Sequence, residues 1–211
     1  MIAAIISGGT APSERLLRKY LSKVDYIIAA DKGNECLYSY GILPDLIVGD
    51  FDSAKKEIID EMKKQVKEFL EFPPEKDYTD TEIAIIEALK RGAKKIYLFG
   101  GIGSRVDHTL GNIGLILTTK EKGADLEIID DNNRLYLGNK NMVLYGEPGE
   151  NISFHALSNI VKNLKIKGAK YTLDGYDMKL LDPRAICNEF INKPIEISYD
   201  DGELLILHSF D

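Results

Sequence analysis

Leu46-Ile47-Val48-Gly49-Asp50-Phe51-Asp52-Ser53 is an apolar run that ends in two carboxylates around an aromatic residue. A short run of Leu, Ile and Val closed by turn residues reads as a buried strand. If the backbone stays extended past Gly49, Asp50 and Asp52 point to one face, because side chains alternate along a strand. Their Cα atoms then lie roughly 7 Å apart, at about 3.3 Å per residue. Two carboxylates converging at a strand end suit a hard cation such as Mg²⁺, which takes oxygen ligands and bridges to substrate phosphates. The plainer reading is a polar turn before a helix capped by Ser53 and running to about Gln65.

The stretches on either side repeat the pattern of strand, polar or glycine turn, and helix. Residues 2–6 are apolar and stop at Ser7-Gly8-Gly9, where glycine lets the backbone turn or approach a ligand. Pro12 and Ser13 then open a helix with Leu16, Leu17 and Tyr20 on one side. Residues 26–30 form a second buried run ending at Asp31-Lys32-Gly33. Asp31 sits where open α/β sheets place ligands, and equally where it would cap the following helix. Beyond the central stretch, residues 68–72 read as a strand stopped by Pro73-Pro74. Thr79 and Glu82 have capping-box spacing, and Ile83, Ile86 and Leu89 follow at helical intervals. Asp80 falls in that helix's first turn, where the dipole favours negative charge. Asp77 has no such structural explanation.

Residues 95–99 are a fifth buried run, leading into Gly100-Gly101-Ile102-Gly103-Ser104-Arg105-Val106-Asp107-His108. Backbone N–H groups in such a loop, with a helix start behind them, make an anion site. Arg105 adds a bidentate phosphate contact. The glycines alone are also consistent with a tight turn. His108 reads as an exposed helix-start residue in preference to a metal ligand, and Asn112 lies one turn further on. Neither GxGxxG nor GxxxxGK[ST] occurs, so the Rossmann and P-loop fingerprints are absent.

After residues 126–129 the texture changes to short apolar runs separated by turns: 142–145, 152–154, 161–166, 171–173, 195–199 and 204–208. This predicts an all-β sandwich or barrel. The expected boundary is near Asp131-Asn132. Residues 1–131 form an α/β domain with a doubly wound, mostly parallel sheet, and residues 132–211 form a β-sandwich.

The 211 residues are 44% hydrophobic and 29% charged, ordinary for a soluble globular protein, with a net charge of −7. An acidic chain is a poor electrostatic partner for nucleic acid. A polyphosphate substrate would need local cations or metal to overcome the global field. The two cysteines, Cys36 and Cys187, lack zinc spacing and read as reduced thiols of a cytoplasmic protein. The first residues read as a strand and not as a signal peptide, and no apolar run approaches a membrane span.

Asp31, Asp50, Asp52, Asp77 or Asp80, and the Arg105 loop all fall at the carboxyl ends of predicted parallel strands, which share one sheet edge. Acidic groups facing a glycine-rich anion loop fit Mg²⁺-dependent phosphoryl or nucleotidyl transfer. The residues themselves leave the acceptor open.

Asp31-Lys32-Gly33, Gly41-Ile42-Leu43-Pro44-Asp45 running into Gly49-Asp50-Phe51-Asp52-Ser53, Lys76-Asp77-Tyr78-Thr79-Asp80-Thr81-Glu82, and the loop from Gly100 to His108 with Asn112 occur in this order. Gly168-Ala169-Lys170-Tyr171-Thr172-Leu173, Asn188-Glu189-Phe190 and Asp201-Gly202-Glu203-Leu204 follow. Jointly they resemble the thiamine pyrophosphokinase (thiamine diphosphokinase) family along nearly the whole chain. The resemblance implies an ATP- and metal-binding catalytic domain over residues 1–131 and a thiamine-binding β-sandwich over 132–211. It implies a homodimer with thiamine between the catalytic domain of one subunit and the β-domain of the other. The implied reaction moves a pyrophosphoryl group from ATP to the thiamine hydroxyl and releases AMP. Asp50, Asp52, Asp77 and Asp80 would hold Mg²⁺ and act in catalysis with Arg105. Asp31, Lys32, Gly33, Gly101, Gly103, Asp107, His108, Asn112, Cys187 and Asn188 would bind or support the substrates. Three departures stand out: Lys32-Gly33 where many members have Gly-Gly, Cys187 where the pattern has Ser, and no Trp to stack on thiamine. Phe190 or a tyrosine could take the stacking role, core packing being the plainer role for Phe190. A thiamine- or nucleotide-binding sensor without catalysis and a Mg²⁺-dependent phosphohydrolase are the alternative functions.

Overall fold

A computed structural model describes residues 1–51, 55–73, 75 and 77–210. The chain divides into two compact units, Met1–Asp131 and Asn132–Asp211. In the first, β1 (Ile2–Ile6), β2 (Tyr26–Ala30), β3 (Leu46–Gly49), β4 (Glu68–Glu71), β5 (Lys95–Phe99) and β6 (Asp125–Ile129) lie in the order β6-β5-β1-β2-β3-β4. Every pairing among them is parallel, with Ile5 opposite both Ile28 and Leu98. The helices are α1 (Glu14–Leu21), α2 (Gly33–Ser39), α3 (Lys56–Lys63), α4 (Asp80–Lys90) and α5 (Val106–Glu121). Parallel strands are covered on both faces, so their runs must be continuously apolar. Ala3 to Ile6, Ile28 to Ala30 and Leu46 to Val48 are accordingly fully buried.

The chain builds outward from β1 to β4, then returns to the other side of β1 for β5 and β6. The strand order therefore reverses at β1 and β5, and the crevice beyond their carboxyl ends is where such sheets take ligands. Ser13 caps α1 by accepting from Leu16 N–H at 3.3 Å, and Thr79 caps α4 by accepting from Glu82 N–H at 3.2 Å. Each such cap stabilises by about 1 kcal/mol. The cap expected of Ser53 falls outside the described residues; α3 begins at Lys56 with Lys55 at its N-cap and no side-chain cap bond.

The second unit contains β7 (Asn133–Leu137), β8 (Asn141–Leu144), β9 (Asn151–Ala156), β10 (Ile160–Lys167), β11 (Leu173–Lys179), β12 (Asn188–Glu189), β13 (Ile195–Ser198) and β14 (Leu204–Ser209). They form two antiparallel sheets, β12-β9-β14-β7 and β11-β10-β13-β8. Alternate residues point inward: Ile152, Phe154 and Ala156 of β9 join Val161, Leu164, Ile166, Ile197 and Ile206 in one apolar core. This is a sandwich. The strand expected at 171–173 lies elsewhere: β11 starts at Leu173 and runs on through polar residues. Met178 is its one buried residue, with Leu173 and Tyr176 partly buried, so it leaves no apolar run in the sequence. Among the described residues no helix is long and apolar enough to cross a membrane.

Candidate active site

The loops leaving β1 and β5 are joined backbone to backbone. Ser7 N–H donates to Phe99 O at 2.8 Å, Gly9 N–H to Gly100 O at 2.9 Å and Thr10 N–H to Ile102 O at 2.8 Å. Only glycine allows this approach. A Cβ on Gly9 would stand 2.4 Å from Gly100 O, and one on Gly100 would stand 2.3 Å from Ser7 O at a φ of +64°. The paired loops wall a cavity of about 630 Å³ at the switch point. Ser7, Gly8, Gly9 and Thr10 contribute from the β1 loop, and Gly100, Gly101, Gly103, Ser104 and Arg105 from the β5 loop.

Carboxylates enter from the neighbouring strand ends. Asp31 follows β2 with a φ of +46°, its N–H donating to Val48 O at 3.0 Å. Its side chain lines the cavity and does not cap α2, whose N-cap is Lys32 without a side-chain bond. Asp50 follows β3, and the backbone is not extended at Phe51; the expected facing of Asp50 and Asp52 involves a residue outside those described. β3 ends at Gly49, and Phe51 has a φ of +58°, a left-handed conformation costly for a bulky residue. The turn swings Phe51 onto Phe69 with ring centroids 4.9 Å apart and leaves Asp50 on the cavity wall. Asp52 lies outside the described residues. Asp80 enters from the first turn of α4, beside Thr81, whose hydroxyl hydrogen-bonds the Ser7 hydroxyl beneath the cavity.

Lys32, Arg105, His108 and Asn112 complete the wall. Asn112 donates through Nδ2 to Gly101 O at 2.7 Å and so ties α5 to the glycine loop. Arg105 makes two bonds to Asp107, 2.7 Å from Nη2 and 3.3 Å from Nε. That pair and the His108 backbone N–H lower the Asp107 carboxyl to about 2. Asp107 therefore orients Arg105 and does not itself line the main cavity. Asp77, which is exposed, does not line it either. Nor does Gly33: a Cβ there would meet Ile6 O at 1.9 Å, so this glycine serves close packing of α2 on β1. Among the described residues no three carboxylates, histidines or cysteines cluster tightly enough to hold a metal alone. Mg²⁺ does not require such a cage, since it is held by one or two carboxylates together with substrate phosphates. Asp50 and Asp80 on the wall of one cavity fit that requirement.

Sequence reasoning missed Thr10 and Thr81 as site residues, and left Ser7-Gly8-Gly9 open between a sharp turn and close approach to a ligand. Which of the two held depends on pairing with a loop about ninety residues away.

In the second unit Cys187 is exposed with a φ of +54° and donates from its N–H to Ser153 Oγ at 3.0 Å. Asn188 is buried and fully engaged. Its Oδ1 accepts from Tyr171 N–H at 2.9 Å and Glu189 N–H at 3.0 Å, and its Nδ2 donates to Tyr171 O at 2.6 Å. Phe190 is a core residue, 1% exposed. Tyr171, gripped on both sides of its backbone by Asn188, is 58% exposed.

A doubly wound sheet with acids, a guanidinium and paired glycine loops at its switch point defines an α/β enzyme that handles phosphate groups. Residues 17–128 match the family model for the thiamin pyrophosphokinase catalytic domain, and residues 141–204 that for the thiamin pyrophosphokinase vitamin B1 binding domain. The chain belongs to the thiamin pyrophosphokinase family. It is 30% identical to the thiamine pyrophosphokinase of Bacillus subtilis over 98% of both chains. A crystal structure of thiamine pyrophosphokinase from Bacillus subtilis superposes with a TM-score of 0.87 at 28% identity, covering 100% of each chain. A thiamin pyrophosphokinase family protein from Enterococcus faecalis does so with a TM-score of 0.87 at 27% identity, covering 100% of this chain and 99% of that one.

Proposed function

We propose that this chain is a thiamine diphosphokinase, moving the pyrophosphoryl group of ATP to the thiamine hydroxyl to give thiamine diphosphate and AMP. The observation that carries the reading is the switch-point cavity, where Asp31, Asp50 and Asp80 share a wall with Lys32, Arg105 and two interlocked glycine loops. The glycine backbones and Lys32 bind the polyphosphate, and Arg105, held by Asp107, stabilises charge that spreads onto the phosphate oxygens. The thiamine hydroxyl attacks the β-phosphorus in line, and AMP departs. One of the cavity carboxylates orients that hydroxyl and takes its proton. Bound Mg²⁺, held by Asp50 and Asp80, would neutralise phosphate charge. Asp52 remains a proposed ligand on the strength of the family resemblance.

The thiamine side of the reading rests on the second unit. With Phe190 in the core, Tyr171 and Tyr145 are the exposed tyrosines of this unit, and Tyr171, whose backbone Asn188 holds, takes the place where relatives use Trp. The reading includes the homodimer and a cytoplasmic setting, the latter in keeping with two free cysteines; light scattering on the purified chain tests the dimer. AMP release from ATP, measured with and without thiamine, tests the reaction. The kinase releases AMP only with thiamine present. A sensor releases none, and a phosphohydrolase yields phosphate without any acceptor.

A further inference from the structure

The hydroxyl pair beneath the switch-point cavity has a hydrogen to spare. Ser7 and Thr81 both line the cavity, and they are only 7% and 8% exposed. Their hydroxyls hydrogen-bond each other. Two hydroxyls carry two hydrogens, and the bond between them uses one. The other finds no acceptor among the described residues. A polar hydrogen held nearly out of water without an acceptor is unfavourable, and such a group in a folded chain points to a ligand or to water.

The surroundings decide which hydroxyl keeps it. Thr81 lies in the first turn of α4, next to Asp80. A threonine hydroxyl commonly gives its hydrogen to a carbonyl three or four residues back, here Tyr78 or Asp77, and Asp80 sets a carboxylate beside it. Thr81 bonds to none of these three. Its hydrogen therefore goes to Ser7, and the Ser7 hydrogen is the one left over. Ser7 stands on the β1 loop, where Ser7, Gly9 and Thr10 give their N–H groups to Phe99 and the β5 loop. The N–H of Gly8 has no acceptor among the described residues. The Ser7 hydroxyl and the Gly8 N–H are thus adjacent unused donors on one wall of the cavity, and successive donors of this kind suit an oxyanion.

We infer that the Ser7 hydroxyl, oriented by Thr81, donates to a phosphate oxygen of the bound polyphosphate, and that Thr81 is a positioning residue acting through it. The inference rests on the diphosphokinase reading above and names a further contact of that site. Held by Thr81, the donor is already aimed when the phosphate arrives, which is what makes a preorganised group effective.

Calorimetric titration of the purified full chain with inorganic tripolyphosphate, and separately with thiamine, at fixed Mg²⁺ tests this without turnover. Ser7→Ala removes the donor and should weaken tripolyphosphate about tenfold, the loss of one hydrogen bond to a charged acceptor. Thr81→Val keeps the shape of the side chain but lets the Ser7 hydroxyl rotate, and should weaken it about threefold. The double variant should bind no more weakly than Ser7→Ala, because Thr81 acts only through Ser7. Thr81→Ser returns the hydroxyl and should restore the affinity to within about twofold of wild type, and thiamine affinity should stay within about twofold in all four variants. Unchanged tripolyphosphate affinity in Ser7→Ala would overturn the inference and leave the pair as a buried strut. So would additive losses in the double variant, a larger loss in Thr81→Val than in Ser7→Ala, a parallel loss of thiamine affinity, or a wild type that does not bind tripolyphosphate. A wild-type chain that shows the expected pattern yet releases no AMP with thiamine would refute the diphosphokinase reading and leave the Ser7 donor standing.

Discussion

The two units present polar groups in opposite ways. In the α/β unit the β1 and β5 loops hydrogen-bond to each other through their backbones, and their glycines share the cavity wall with charged residues such as Asp31, Lys32, Asp50, Asp80 and Arg105. In the β-sandwich the polar residue expected to meet a ligand, Asn188, is turned inward and spends its amide on the Tyr171 backbone. What faces solvent there is a ring. The difference follows from the ligands each would hold. Phosphates need many fixed donors and compensating charge. A heteroaromatic ring needs a flat apolar face held still.

The sharpest way to break this contrast is to remove charge from the first unit. Asp50→Asn keeps the shape of the side chain and should lower kcat for AMP release by about 10²–10³-fold, in the range of losing one preorganised electrostatic group. The thermal melt should not move. Near-normal turnover would mean that the carboxylates are scaffolding and that the cavity works by backbone alone. Next in size is the backbone itself. Gly100→Ala places a methyl 2.3 Å from Ser7 O, at a left-handed φ, and should destabilise the α/β unit by about 1–3 kcal/mol in urea unfolding. Gly111→Ala, in open space on α5, is the control and should cost nothing. In the second unit, Tyr171→Ala should raise KM for thiamine about three- to tenfold, the loss of one aromatic stacking contact of about 0.5–1.5 kcal/mol, whereas Tyr171→Trp retains it. An unchanged KM in Tyr171→Ala would remove the exposed ring from the thiamine side.

The parallel strands were legible because burial on both faces leaves continuous apolar runs, as in Leu46-Ile47-Val48. The Ser13 and Thr79 caps were legible because capping needs only local spacing. The left-handed conformation of Phe51 was not, since nothing local announces it; the ring stacks on Phe69, a contact between residues eighteen apart. β11 was misplaced because it gives the core one buried residue, Met178, among polar ones, and so shows no apolar run. The Arg105 loop showed itself as a likeness of composition, three glycines and a cation before a helix. The β1 loop, with equal weight in the wall, lacked any fingerprint and became a site only through its pairing with the other. Asn188 shows the reverse case: the motif marked the right place, while burial gave the residue a positioning role in place of contact.

The smallest expected effect concerns the scaffold of the β-sandwich. His155 on β9 is half-buried, and its Nδ1 is shielded from solvent with no hydrogen-bond partner among the described residues. Burial lowers its pKa below the ordinary 6.5, and the charge and backbone of Asp182 oppose the shift only in part. The unfolded chain therefore binds this proton more tightly than the folded one. The contribution of a neutral His155 is fully present above pH 6.5 and is lost as the pH falls through that value toward the lower folded pKa. His155→Gln removes the titration while keeping a polar side chain of similar reach. Urea midpoints of wild type and variant should run parallel between pH 7.5 and 6.5, and the wild type should fall faster between 6.5 and 5.5. Parallel curves throughout would mean that water reaches the ring, and that the β9 wall is more open than its buried neighbours Phe154 and Ala156 require.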